Sequence, residues 1–226
     1  MVKVALVKGR DRYNTILRSL QLIEDEVKGN LRRFKRVIIK PNFVSTRNQL
    51  AATHVDHIRA ILDFLRSSFD GKILIAESAA IGDTFSGYRN FGYLELCKEY
   101  DVELVDLEEE EFETIFLVNR KFVPLPVRVS KLLLSRENFV ISAAKLKTHD
   151  EVVVTLSLKN ILMGAVKKED KSKVHQGVKA INYNLFLLAQ RLHIELASID
   201  GIIGMQGNGP VNGEPINSGV AIASTD

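Results

Sequence analysis

Residues 37–76, VIIKPNFVSTRNQLAATHVDHIRAILDFLRSSFDGKILIA, decide the fold class. Val37-Ile38-Ile39 is a continuous β-branched run that stops at Pro41, as a strand buried on both faces does. Thr53 followed by Asp56 is a capping-box pattern, with Asp where Glu is usual, and it predicts a helix start. The inner face of that helix reads Ile58, Ile61, Leu62 and Leu65. Asp70-Gly71 then turns the chain into a second strand, Lys72 to Ala76. Strand, helix and strand within forty residues form a βαβ unit, and such units make parallel sheets.

The rhythm extends in both directions. Val2 to Val7 is β-rich and ends at Gly9, and Ile16, Leu20, Ile23 and Val27 recur at helical spacing. Phe91, Leu94 and Cys97 suit a further helix, and Val102 to Val105 a further strand. Glu108–Glu111 reads as a solvated loop, because a block of like charges repels itself and stays wet. Phe112 to Val129 predicts a β-hairpin turning at Asn119-Arg120, with Pro124 and Pro126 confining its second strand to an edge. Phe139 to Ala143 predicts a buried strand. A helix over Asn182–His193 and strands over Leu196–Ile199 and Ser218–Ala223 complete the chain. The expected fold is α/β over residues 1–226 as one domain. It has a mostly parallel sheet, helices on both faces, and two lobes around a cleft.

Composition narrows the function classes. The chain has 226 residues, 46% of them hydrophobic and 26% charged, which is ordinary for a folded protein. The net charge of +3 lacks the density of a nucleic-acid binder, so nucleic acid is not an expected partner. With Cys97 as its one cysteine, the chain can form no internal disulfide and hold no four-cysteine iron–sulfur cluster by itself. No apolar run is long enough to span a bilayer, so no membrane partner is expected. The segment Met1–Val7 is too short and too alternating for a signal peptide, and a cytoplasmic location is the expectation.

Chemistry concentrates after Ala144. Lys145, Lys147, Thr148 and His149 follow a strand, and ligands of open α/β sheets bind outside the carboxyl ends of strands. Two ammonium groups, a hydroxyl and an imidazole there suit a phosphate or carboxylate. Lys159-Asn160 sits in an apolar run, Ser157 to Gly164; burial lowers a lysine's pKa and makes it a base or a nucleophile. His175 lies in a basic stretch: residues 145–179 hold eight lysines and two histidines against four acids. Neutral imidazole is both a general base and a common metal ligand. Residues 201–213 carry five glycines, and Gly207, Asn208 and Gly209 are placed to form an anion nest of backbone N–H groups. Lys40 and Asn42, and Glu77 and Ser78, follow two strands and face the same sheet end. His54 and His57 fall in the first turn of a helix and read as structural.

Together, Lys40-Pro41-Asn42, Glu77-Ser78, Lys145 to His149, Leu158-Lys159-Asn160 with Met163-Gly164, His175, Asp200-Gly201 and Gly207 to Pro210 resemble the domain of unknown function 362 family. The resemblance spans nearly the whole chain. Many members of that family carry ferredoxin-type cysteine motifs; this chain has none, so it resembles a cluster-free branch. Members usually continue past the strand matched by Ser218–Ala223, so the resemblance implies a truncation at the C-terminus. The order His149, Lys159, His175 is also similar to that of active-site residues in nickel-pincer lactate racemases. That similarity implies proton transfer at His149, a Lys159-tethered nucleotide cofactor and a transition metal at His175.

Two functions follow as expectations. One is an enzyme that binds an anionic small molecule or nucleotide-like cofactor in a Lys/His/Gly-rich cleft and works by racemisation or proton transfer. The other is a non-catalytic accessory subunit that docks on a ferredoxin-like or other iron–sulfur redox partner.

Overall fold

Parallel strands align their carboxyl ends, so the order of strands in the sheet decides which residues can meet. The computed structural model describes residues 3–226; Val2, which the sequence places in the first strand, lies outside them. In chain order the elements begin β1 (Val4–Lys8), α1 (Arg12–Gln21), α2 (Glu24–Leu31), β2 (Arg36–Lys40), α3 (Val55–Arg66) and β3 (Lys72–Glu77). They continue with α4 (Thr84–Asn90), α5 (Leu96–Glu99), β4 (Val102–Asp106), β5 (Phe112–Val118), β6 (Pro124–Ser130), α6 (Lys131–Leu134) and β7 (Asn138–His149). The remainder is β8 (Val153–Thr155), α7 (Ser157–Gly164), α8 (Lys171–Val174), α9 (Val178–Ala189), β9 (Leu196–Gln206), β10 (Glu214–Ile216) and β11 (Val220–Ser224).

The main sheet runs β1-β11-β9-β7-β2-β3-β4. From β9 to β4 the neighbours are parallel, while β11 pairs antiparallel with both β9 and β1. The expected mostly parallel α/β sheet is therefore present. Successive side chains of a strand face opposite ways. Val37 and Ile39 join the core under α1, α2 and α3, and Ile38 joins the core on the other face, with α7, α9 and the β5–β6 hairpin. That hairpin forms its own two-stranded sheet. No helix among the described residues is long and apolar enough to cross a membrane.

Several boundaries differ from the sequence reading. The cap of α3 is His54, whose Nδ1 accepts from Asp56 N at 3.1 Å. Thr53 instead accepts from Asn42 N at 2.9 Å and donates to Ala143 O at 2.7 Å, tying the exit of β2 to β7. The expected helix around Phe91, Leu94 and Cys97 shrinks to the single turn of α5, because Gly92 adopts a left-handed φ of 80°. Helix α9 begins four residues early, at Val178, directly after Gly177 with its φ of 87°. Strand β7 runs five residues beyond Ala144, and β9 continues through the glycine-rich segment to Gln206.

Candidate active site

The site is built on the carboxyl ends of β2, β3 and β7. Lys40 ends β2 and Glu77 ends β3, both almost fully buried. Lys40 Nζ donates to Glu77 Oε1 at 2.8 Å, Asn160 Oδ1 at 3.2 Å and Pro41 O at 2.9 Å, which uses all three of its protons. Glu77 accepts further from Ser78 N at 2.8 Å and Phe43 N at 3.0 Å. A buried ion pair repays its desolvation only when its remaining lone pairs and protons are satisfied, as they are here. Gly164 makes this packing feasible: a Cβ there would lie 1.9 Å from Lys40 Cε.

The Asn160 amide is oriented by this network. Its Nδ2 donates to Lys40 O at 3.2 Å, and its Oδ1 receives the Lys40 ammonium. Asn42 must then offer Nδ2 to Asn160 Oδ1, at 3.0 Å. Asn42 Oδ1 is left buried and without a partner among the described residues, as is Thr155 Oγ1.

Above this floor lies a cavity of about 410 Å³, whose walls include Phe43, Met163 and Pro210 together with Asn42, Thr155 and Asn160. His149 from the end of β7, Lys159 from α7, Lys171 from α8 and His175 just after α8 all line it. The His149 and His175 rings stack with centroids 5.9 Å apart and planes at 24°. Burial and the nearby Lys159 ammonium push the His149 pKa down to about 4, so the ring is neutral near pH 7. Its Nδ1 accepts from Glu151 N at 3.1 Å, with the exposed Asp150 carboxylate 2.8 Å from the same nitrogen. His175 Nδ1 hydrogen-bonds the Glu151 carboxylate.

Burial brings Lys159 down to about 8, against the opposing pull of Asp150 and Glu151. Burial also brings Lys171 to about 8. Its Nζ donates to Ser78 O and Ser78 Oγ, each at 3.0 Å, and Ser78 Oγ passes a proton bond to Glu108 Oε1 at 2.6 Å. The site thus holds two amines poised near neutrality and a neutral imidazole around one hollow.

Of the residues singled out from sequence, the cavity gathers Lys40, Asn42, Glu77, Ser78, His149, Lys159, Asn160 and His175. Lys145, Lys147 and Thr148 do not line it. Lys145 Nζ lies 3.7 Å from buried Asp200, which Arg12 also holds at 2.9 Å. Lys147 is buried, donates to Ala51 O at 3.1 Å, and is pushed to about 7 by burial and by neighbouring Lys145 and Lys159. Thr148 Oγ1 donates to Gly207 O at 2.9 Å. Gly207, Asn208 and Gly209 also stay off the wall, and Pro210 alone of that segment reaches it. Gly209 serves close packing instead, since a Cβ there would lie 2.1 Å from Thr148 O, and Gly207 supplies a left-handed φ of 72°. His57 is buried against Ser198 Oγ at 2.7 Å, a structural contact.

The sequence reading missed Lys171, Glu151 and Thr155. Lys171 carries no motif that separates it from the lysines around it. Glu151 was legible as an acid two residues from His149.

Among the described residues no three His, Cys, Asp or Glu side chains are arranged to hold a metal ion. His175 is turned to Glu151, and the glycine segment offers no nest beside Lys159.

A model of the family described as a domain of unknown function (DUF362) matches residues 37–226. Thylakoid-associated protein sll1697 of Synechocystis sp. is 29% identical over 197 residues, covering 84% of this chain and 59% of that protein. This chain therefore spans about three-fifths of the length of that relative. A crystal structure of a Thermotoga maritima protein aligns with a TM-score of 0.43 and 12% identity over 86% of this chain and 53% of that one, a likeness too weak to carry an argument.

Proposed function

The chain belongs to the family described as a domain of unknown function (DUF362), and from that premise we propose that it is an enzyme that binds a small anion in the His149–Lys159–His175 cavity and transfers a proton on it. The observation that carries this reading is the convergence of Lys159, Lys171 and neutral His149 on one hollow. A general base works best when its pKa lies near the operating pH, and Lys159 at about 8 meets that condition.

The chemistry follows from the charges. The anionic group of the ligand pairs with the Lys171 ammonium. The C–H bond beside a carboxylate breaks heterolytically, its proton passing to Lys159 Nζ and its electron pair into the carboxylate as an enediolate. Lys171 stabilises the added negative charge, which is larger in the transition state than in the ground state. The neutral His149 imidazole offers the ligand a hydrogen-bond partner beside the base. The proton returns from Lys159 to carbon, so the step is redox-neutral. Asn42 Oδ1 accepts only, so the ligand that completes the site brings an O–H or N–H donor as well as its charge.

The test is deuterium exchange. The protein is incubated in D₂O with panels of 2-hydroxy and 2-amino carboxylates, and mass spectrometry reads one added deuterium at the carbon beside the carboxylate. Exchange that Lys159→Gln abolishes supports the reading. No exchange with any panel member, or exchange untouched by Lys159→Gln, overturns it.

One observation favours the accessory-subunit reading. Phe122, Tyr183 and Phe186 are exposed, with the Tyr183 ring centroid 5.6 Å from Phe122 and 6.3 Å from Phe186, and Lys121 adjoins Phe122 in the sequence. An apolar centre with basic neighbours suits docking on an acidic protein. Titration with a ferredoxin decides it: binding lost in Phe186→Asp favours docking, and no binding excludes it.

A further inference from the structure

A parallel sheet aligns its amino ends as well as its carboxyl ends, and here the amino ends collect cations. Arg36 opens β2 and stands in register between Lys72, which opens β3, and Asn138, which opens β7. Neighbouring strands lie about 4.8 Å apart. The residues that lead into these strands add Arg33, Lys35 and Arg136. Together they line a hollow of about 730 Å³ on the edge of the sheet opposite the cavity. Lys72 pairs with Glu103 at 2.6 Å, and Glu137 is the one carboxylate on the wall of the hollow. Arg33, Lys35, Arg36 and Arg136 make no ion pair among the described residues.

These four cations around one hollow repel one another, offset in part by Glu137 on the wall and, for Arg136, by Glu195. The C-terminal carbonyls of α2 offset part of the charge on Arg33, which follows that helix closely. Lys35 and Arg36 lie beyond the last turn of α2 and gain less. Three of the four are arginines, whose planar fork matches phosphate oxygens two at a time.

We propose that this hollow is a second anion site, which takes a group bearing at least two phosphate charges. The chemistry is shared by a free polyphosphate and by a phosphorylated lipid headgroup. It does not depend on the activity proposed for the cavity.

The test is isothermal titration of the full chain with inorganic pyrophosphate and tripolyphosphate, in parallel with sedimentation on phosphatidylcholine vesicles with and without phosphatidylinositol 4-phosphate. The proteins are the unmodified chain, the double variant Arg36→Gln/Arg136→Gln and the cavity variant Lys159→Gln, with circular dichroism to verify folding. Arg136 is exposed and Arg36 partly so, and neither side chain makes a hydrogen bond among the described residues. The expected result is one-to-one, salt-weakened binding that falls at least tenfold in the double variant and is unchanged in Lys159→Gln. Tighter binding to the phosphorylated vesicles than to the free probes assigns a lipid source, and the reverse a soluble one. Absence of binding to probes and vesicles alike overturns the proposal. So does binding that depends on Lys159 and not on the arginines, or capture of an oligonucleotide with no affinity for either phosphate probe.

Discussion

Lys159 and Lys171 both sit near pKa 8, yet the proposed reaction asks opposite things of them. Lys159 must be neutral to accept a proton, so kcat/KM rises as pH approaches 8. Lys171 must be charged to hold the anion, so kcat/KM falls above 8. The expected profile is a narrow bell centred near pH 8, whose two apparent pKa values belong to the pair. Lys171→Arg keeps the cation at all these pH values and removes the falling limb; a limb that survives this change contradicts the assignment. Lys159→Gln lowers the rate of proton transfer by about 10²–10⁴-fold, the usual share of a general base. Lys40 has a different role. Lys40→Met leaves Glu77 charged, buried and short of its counter-ion, and the expected loss is about 3–5 kcal/mol in urea unfolding. A loss below 1 kcal/mol would mean that the pair is dispensable. At this scale the sequence was legible where residue type and position agree. Lys40, Glu77 and His149 were legible as polar groups at strand ends, Lys159 as a lysine in an apolar run and His175 as an imidazole in a basic stretch. Lys171 was not, because its distinction is burial, which a lysine-rich stretch conceals.

Strand β7 shows why elements were harder to read than residues. Lys145, Lys147 and His149 look like the polar end of a strand. They alternate, however, with the period of two that marks side chains on a common face. Each is buried, and the strand continues because each ammonium or imidazole finds its own surroundings: Asp200, Ala51 O and the cavity. The glycine-rich segment misled for a related reason. Glycine weakens strands, but Gly201 packs where a Cβ would meet Leu146 and Val220 at 2.8–2.9 Å, so β9 can run close beside β7 and β11. Helix α7 gives the test at this scale. Gly164→Ala drives a methyl into Lys40 and is expected to cost about 1–3 kcal/mol, as overpacked cores do. Thermal unfolding reads it, and an unchanged melting temperature would show that Lys40 has room to move.

The whole molecule carries its buried lysines as a stored liability. Lys147, Lys159 and Lys171 titrate near 7, 8 and 8 when folded and near 10.5 when unfolded. Between pH 7 and 9 the unfolded chain therefore binds more protons than the folded one, and stability must rise with pH. Tyr88, Tyr93 and Cys97, all raised by burial, oppose the trend at higher pH and set its upper limit. Urea midpoints at pH 7, 8 and 9 should increase in that order, and a flat or falling series would refute the lysine account. The order of βαβ units, and with it the parallel sheet, was legible in the apolar periodicity. The sheet order was not, since the antiparallel return of β11 between β1 and β9 depends on contacts far apart in the chain. An anion in the cavity would relieve the stored charge, which makes ligand binding the decisive observation. The measurement is thermal unfolding at pH 7.5 across a series of small 2-hydroxy and 2-amino carboxylates, for the unmodified chain and for Lys159→Gln/Lys171→Gln. The account predicts a saturable rise in melting temperature with at least one carboxylate, absent from the double variant. No rise with any of them, or an equal rise in both proteins, would contradict an anion site at this cavity.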